Sequence, residues 1–164
     1  MQHCSPENAA AIRVLADEVV ELRLLRVLSC EDTALRPPEA QFLCRAPGHR
    51  FAIHRQSDGL RVGRIHLRVT NDETILRAVG HFGYAVDEAH RRNGYVVRAI
   101  QLILRLTRLY DLAPLWVLIE PGNVASRGAV ERAGFQLVEV VNTQPDALAL
   151  GLGARMCQYV VEKP

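Results

Sequence analysis

The sequence predicts a mixed α/β (α+β) domain, a central sheet with helices packed on its faces. Three observations lead there. Strand-like runs come first in the chain. From Ala78 to Val141 the pattern alternates strand, helix, strand, helix, strand, and one more strand closes the sequence. At 164 residues, the chain suits one compact domain with a sizeable core and leaves no room for a second domain of ordinary size. The expected organisation is a single domain over residues 1–164.

Taken in order, Pro6 to Glu18 reads as a short helix, with Ser5 as its cap and Ala10, Ile12, Val14 and Leu15 apolar. Val19 to Leu28 reads as a strand, although Leu24-Leu25 breaks strict alternation. Ser29 to Gly48 contains Pro37, Pro38 and Pro47, which favours a loop with room for one helical turn around Glu39 to Cys44. Arg50 to Gln56 is a short strand, and Ser57-Asp58-Gly59 signals a hairpin, because glycine takes positive φ at no steric cost. Leu60 to Val69 is its partner, rich in β-branched and aliphatic residues. Thr70 to Leu76 reads as a polar connection and Ala78 to Val86 as a third strand.

Asn93 to Leu109 is the clearest helix. Val96, Ile100, Ile103 and Leu106 form one stripe, with Arg98, Arg105 and Arg108 off it, and Pro114 ends the segment. Leu115 to Ile119 has the length of a buried strand, and Gly122 to Ala133 is a second helix closed by Gly134. Phe135 to Val141 and Met156 to Val161 are the last strands.

Composition narrows the function classes. The formal net charge of +2 gives no reason to expect nucleic acid or an anionic membrane as partner. Only Lys163 among the 20 basic residues is lysine, a bias better explained by genomic base composition than by function. Cys4, Cys30, Cys44 and Cys157 form no CxxC pair and share no metal-ligand spacing with the six histidines, so we expect no metal, free thiols and a reducing compartment. Apolar runs too short to span a bilayer, and an N-terminus without signal-peptide character, lead to a cytoplasmic expectation.

The chemistry concentrates in Gly80 to Val97, GHFGYAVDEAHRRNGYVV. A strand ends at Val86, a polar loop runs from Asp87 to Arg92, and the long helix begins near Asn93-Gly94. The first turn of a helix has N–H groups without internal partners and a partial positive charge, which together suit a phosphate. Gly94 admits a pyrophosphate close to the backbone, and Arg91 and Arg92 add charge beside it. Alone, the same residues fit a relieved turn with two solvated arginines equally well. The second segment, Ile119 to Phe135, reads IEPGNVASRGAVERAGF: a strand end, a Pro121-Gly122 turn, and Asn123 where a helix would be capped.

Together the two segments resemble the GNAT superfamily of N-acetyltransferases. Its acyl-CoA site is a strand ending in Val, a loop of the form R/Q-x-x-G-x-G/A and a long helix, matched by Arg91-Arg92-Asn93-Gly94-Tyr95-Val96. Its N-x-x-S/A followed by Gly-Phe is matched by Asn123, Ser126, Gly134 and Phe135. The nearest likeness is to a bacterial group of predicted acetyltransferases with a GHxGY strand, here Gly80 to Tyr84. The resemblance spans Arg50 to about Val141.

The resemblance implies a central mixed, mostly antiparallel sheet flanked by helices, with the acyl-CoA site at a splayed strand and the following helix N-terminus. It implies acetyl-CoA as acyl donor and a primary amine, small-molecule or peptide, as acceptor, attacking the thioester directly in a ternary complex. Backbone groups of Tyr84, Ala85 and Val86 would pair with the pantetheine, and N–H groups from Arg92 to Val96 would hold the pyrophosphate. Asn123 would bond the pantetheine, Ser126 would lie near the thiol, and the Val86 N–H would polarise the thioester carbonyl.

Two departures stand out. Val96 occupies a position where many relatives have Gly or Ala, so its effect depends on whether it faces the pyrophosphate or the core. Many relatives place a tyrosine acid seven residues after the Asn, and here that residue is Val130, so the acid is unassigned. For the general base the candidates are His81 and Glu120. Against them stand a strand histidine bonded to its neighbours and a solvated carboxylate at a strand end. A non-catalytic CoA-binding regulatory or interaction module is the alternative function. A homodimer would be unsurprising.

Overall fold

The computed structural model describes residues 12–28 and 46–162. Within them the chain forms two antiparallel sheets that meet at one corner. The first has five strands in sequential order: β1 (Val14–Ala16), β2 (Val20–Leu28), β3 (Gly48–Arg55), β4 (Arg61–Arg68) and β5 (Phe82–Val86). The second is ordered β6 (Leu115–Ile119), β8 (Arg155–Val161), β7 (Gln136–Asn142).

The N-terminal strand departs from the sequence reading. Residues Val14 to Ala16, expected in a helix, pair with β2 instead, and the remainder of that expected helix up to residue 11 lies outside the described residues. The cause is Asp17. Its Oδ1 accepts the N–H groups of Val19 and Val20, both at 2.8 Å, and turns the chain into a hairpin. The Leu24-Leu25 irregularity is a bulge: the register with β3 shifts between Leu24 and Arg26, leaving Leu25 half exposed. The expected turn around Glu39 to Cys44 lies outside the described residues. The β3–β4 hairpin closes as its residues predict, with Gly59 at φ 68° and the Arg55 guanidinium bidentate on Asp58 at 2.9 and 2.5 Å.

Between β4 and β5 the sequence reading needs correcting. Glu73–Val79 is a helix, α1, where a polar connection and the start of a strand were expected. Asp72 caps it, accepting from the N–H groups of Thr74 and Ile75, and Ile75, Leu76 and Ala78 supply its buried face. Gly80 then ends it at φ 67°. A side chain there would meet the Trp116 carbonyl at 2.9 Å, so the glycine also permits close approach to β6.

The long helix α2 (Tyr95–Thr107) buries Ala99, Ile100, Ile103 and Leu106 against Leu22, Phe51, Ile53, Ile65 and Leu67 of the first sheet. Each fully buried aliphatic side chain contributes roughly 1.5–3 kcal/mol. A short helix, α3 (Val124–Arg132), follows β6, and Val130 and Phe135 bring it into the same core. Pro145–Ala149 forms one further short helix, α4, with Pro145 starting it and Ala147 buried. Among the described residues no helix is long and apolar enough to cross a membrane.

The junction of the two sheets creates the site. At the start of β5 the His81 N–H donates to the Trp116 carbonyl at 2.8 Å, and the Trp116 N–H donates back to His81 Nδ1 at 2.9 Å. Beyond that point β5 and β6 belong to separate sheets, leaving a wedge between them.

Candidate active site

The wedge opens into a cavity of about 840 Å³, lined by the end of β5, the loop from Glu88 to Gly94, the first turn of α2 and one face of α3. Strand alternation decides which backbone groups face it. Asp87 donates its N–H to the Val62 carbonyl at 2.9 Å, and in the same register Ala85 lies opposite Arg64. Residues one position away therefore point their amide groups off β4. Tyr84 and Val86 thus present N–H and C=O to the wedge, an unpaired strand edge of the kind an extended ligand can join. Ala85, expected to share that role, has its backbone turned toward β4 and can offer the cavity only its methyl group. The Val86 carbonyl accepts from Arg91 Nε at 3.2 Å, so Arg91 folds back across the strand end.

The loop enters α2 through two residues of left-handed conformation, Arg92 at φ 65° and Gly94 at φ 75°. No side chain caps the helix at Gly94. A methyl placed on Gly94 would find nothing within 4 Å, so the space over the first turn is open. The Asn93 side chain braces the loop, donating to the carbonyls of His90 and Arg91, both at 3.1 Å. Tyr95 is buried, with its hydroxyl against Arg55. Val96 borders the cavity and also packs on the core, so its bulk is shared between the two.

Across the cavity Asn123 caps α3, its Oδ1 accepting the Ser126 N–H at 3.1 Å, which leaves Nδ2 to donate outward. Ser126 is half-buried, and its backbone carbonyl accepts the Tyr84 hydroxyl at 3.2 Å. Burial holds the Tyr84 pKa above its ordinary value, with Ser126 pulling weakly the other way. Arg132, at the last turn of α3, also lines the cavity and was not singled out from the sequence. Its signal was present as a basic residue nine positions after Asn123, but only the fold brings it to the same cavity as the loop arginines.

The two candidate bases lie elsewhere. His81 is fully buried and does not line the cavity. Its Nδ1 accepts from Trp116, while Nε2 faces the Thr70 backbone without good hydrogen-bond geometry. Burial, aided by the nearby Arg68 charge, lowers its pKa to about 4. A second proton on Nδ1 would confront the Trp116 N–H. The geometry therefore makes His81 a joint between the sheets and removes it as a base. Glu120 ends β6, is exposed, and accepts the Gly153 N–H on Oε1 at 3.1 Å. It does not line the cavity. Val130 is wholly buried in the core, so no group projects from that position. Among the described residues no cluster of three His, Cys, Asp or Glu side chains could hold a metal ion.

Comparisons with known proteins bear on the family and the fold. The sequence matches the acetyltransferase (GNAT) domain family over residues 28–136. The fold superposes on an acetyltransferase from Agrobacterium tumefaciens (TM-score 0.63, 17% identity, 93% of this chain and 95% of that one). It also superposes on the ribosomal-protein-S5-alanine acetyltransferase of Vibrio fischeri (0.60, 14%, 92% and 96%). A third is Mycobacterium smegmatis RimJ, solved with CoA-disulfide (0.58, 18%, 92% and 84%). No curated protein matches in sequence.

Proposed function

Because the chain belongs to the acetyltransferase (GNAT) family and is an acetyl-CoA-dependent acetyltransferase, we propose that it transfers the acetyl group to a primary amine by direct attack within a ternary complex. One observation carries the reading. The outward-facing amides of Tyr84 and Val86, the uncapped start of α2 at Gly94 and the Asn123–Ser126 turn converge on a single cavity of about 840 Å³.

The cavity suits acetyl-CoA by its donor set. The N–H groups from Arg92 to Val96 and the charges of Arg91, Arg92 and Arg132 surround the space open for phosphates. Asn93 holds the loop in shape. The strand edge of Tyr84 and Val86 takes the pantetheine amides, Asn123 Nδ2 adds a donor, and Ser126 lies toward the thiol end. The Val86 N–H, held in place by β5, stabilises negative charge on the thioester oxygen as the amine attacks. Glu120, at the exit of β6, accepts the proton that the attacking ammonium must lose, directly or through water. The chain acts as one domain, and its acceptor is a small-molecule or peptide amine.

Acetyl-CoA should be incubated with the purified protein and a panel of amines, including aminoglycosides, polyamines and short peptides with free N-termini, and released thiol followed. Thiol release that requires one acceptor class supports the reading. Tight acetyl-CoA binding with no release for any acceptor would replace it with a CoA-binding module lacking turnover.

A further inference from the structure

The departing thiolate of CoA is a strong enough base to benefit from a proton donor, and the position that usually supplies a tyrosine carries Val130, sealed in the core. The chain has four tyrosines. Tyr110 is bound to His49 Nε2 at 2.6 Å. Tyr159 lies between Arg127 Nε at 3.0 Å and Glu131 Oε1 at 2.7 Å. Tyr95 turns its hydroxyl to Arg55. Of the two tyrosines that line the cavity, Tyr84 and Tyr95, it is Tyr84 that carries its hydroxyl to the first turn of α3, where it meets the Ser126 carbonyl at 3.2 Å.

We propose that Tyr84 is the proton donor to the departing thiolate, delivering from β5 the proton that Val130 cannot supply from α3. The phenol reaches the first turn of α3 beside Ser126, which lines the cavity, whereas Val130 one turn on is turned into the core. The hydroxyl is free to change partner. At 3.2 Å its bond to Ser126 is long for O–H···O, and a helical carbonyl has the backbone N–H four residues on as its main partner. The ring is fixed by stacking on Phe82, 6.3 Å between centroids. Burial keeps the phenol protonated at neutral pH, and a phenol is a far closer match to a thiol than the serine hydroxyl beside it.

The step balances without a redox partner. The amine nitrogen bonds to the thioester carbon, the carbon–sulfur bond breaks, and sulfur takes the Tyr84 proton. The phenolate is restored by the proton that the amine gives up to solvent or Glu120.

The proposal rests on acetyl-CoA occupying the cavity, and the test separates the two. Acetyl-CoA binding is measured by calorimetry, and thiol release is measured with hydroxylamine, a nucleophile small enough to reach the thioester whatever the natural acceptor. Tyr84→Phe should bind acetyl-CoA as wild type does while kcat falls on the order of 100-fold. Incorporating 3,5-difluorotyrosine at position 84 should restore the rate and bring the alkaline limb of kcat down in pH, since the donor must be protonated. Unchanged kcat in Tyr84→Phe overturns the proposal. So does weakened binding with unchanged kcat, which would make the phenol a strap between β5 and α3. Absence of acetyl-CoA binding by wild type instead refutes the occupancy on which it stands.

Discussion

Acidification should charge His81 in the unfolded chain well before it does so in the folded one. The unfolded imidazole titrates at its ordinary value of 6.5, whereas the buried one, with its Nδ1 taken by Trp116, titrates at about 4. A depressed folded-state pKa means that the unfolded chain binds more protons between those values, so stability rises with pH across the interval. The contribution of His81 is complete above pH 6.5 and is lost progressively as pH falls toward about 4. The loss reaches roughly 2 kcal/mol near pH 5 and roughly 3 kcal/mol at the bottom of the window. His49, also lowered by burial, adds a term of the same sign.

Carboxylates titrate nearby, so the effect must be isolated by difference. His81→Gln retains an oxygen to accept the Trp116 N–H and cannot titrate. Urea unfolding of both proteins from about pH 7.5 down to about 4.5 should give curves that converge on acidification, the wild type losing close to one proton's worth of stability more than the variant. Identical pH slopes would refute the buried, Trp116-bound imidazole. The same variant, once folded, should keep its pH–rate profile for thiol release. Loss of a limb with unchanged stability would return His81 to the role of base.

Other consequences follow from the walls of the cavity. In Gly63→Ala a new methyl would stand 2.4 Å from the Ala85 carbonyl oxygen and 3.1 Å from Val86 Cα, forcing β4 from β5 at the strand end that faces the wedge. The cost should be roughly 1–3 kcal/mol, seen as a melting temperature lower by several degrees and a weaker Kd for acetyl-CoA. A fall in one without the other would contradict the coupling of that strand pair to the site. Reversing the charge at Arg132→Glu should raise the acetyl-CoA Kd roughly three- to ten-fold at low salt, with the difference shrinking as salt is added. A salt-independent effect, or none, would place Arg132 outside the phosphate field.

Much of this structure could be read in advance where a segment's own pattern decides its state. The stripe Val96, Ile100, Ile103, Leu106 announced α2, and the doubled Leu24-Leu25 announced an irregularity that proved to be a bulge. The family's two motifs pointed to Gly94 and to Asn123, and both line the cavity. The misreadings have local causes. Thr70 to Leu76 looked like a polar connection because the capping role of Asp72 depends on backbone geometry, and Ala78-Val79 blended with the strand that starts beyond Gly80. Val14 to Ala16 became strand because Asp17 ties down two amides that the helical reading had left out of account.

Long-range matters were beyond the sequence. That Tyr84 and Val86 face away from β4 while Ala85 faces it follows from register. That His81 is a joint follows from a partner 35 residues away. Glu120 and His81 looked alike as candidate bases, and only burial separates them.

The most direct test of the central claim is calorimetric titration of the protein with acetyl-CoA, repeated on Gly94→Glu. Nothing lies within 4 Å of the position a Gly94 side chain would take, so a glutamate there fills the phosphate space with bulk and like charge and has no packed neighbour to displace. Binding in the micromolar range by wild type, abolished in a variant that still folds, is the predicted result. Wild-type protein that takes up no acetyl-CoA, or a glutamate variant that binds it equally well, would contradict the assignment of the wedge as the acyl-CoA site.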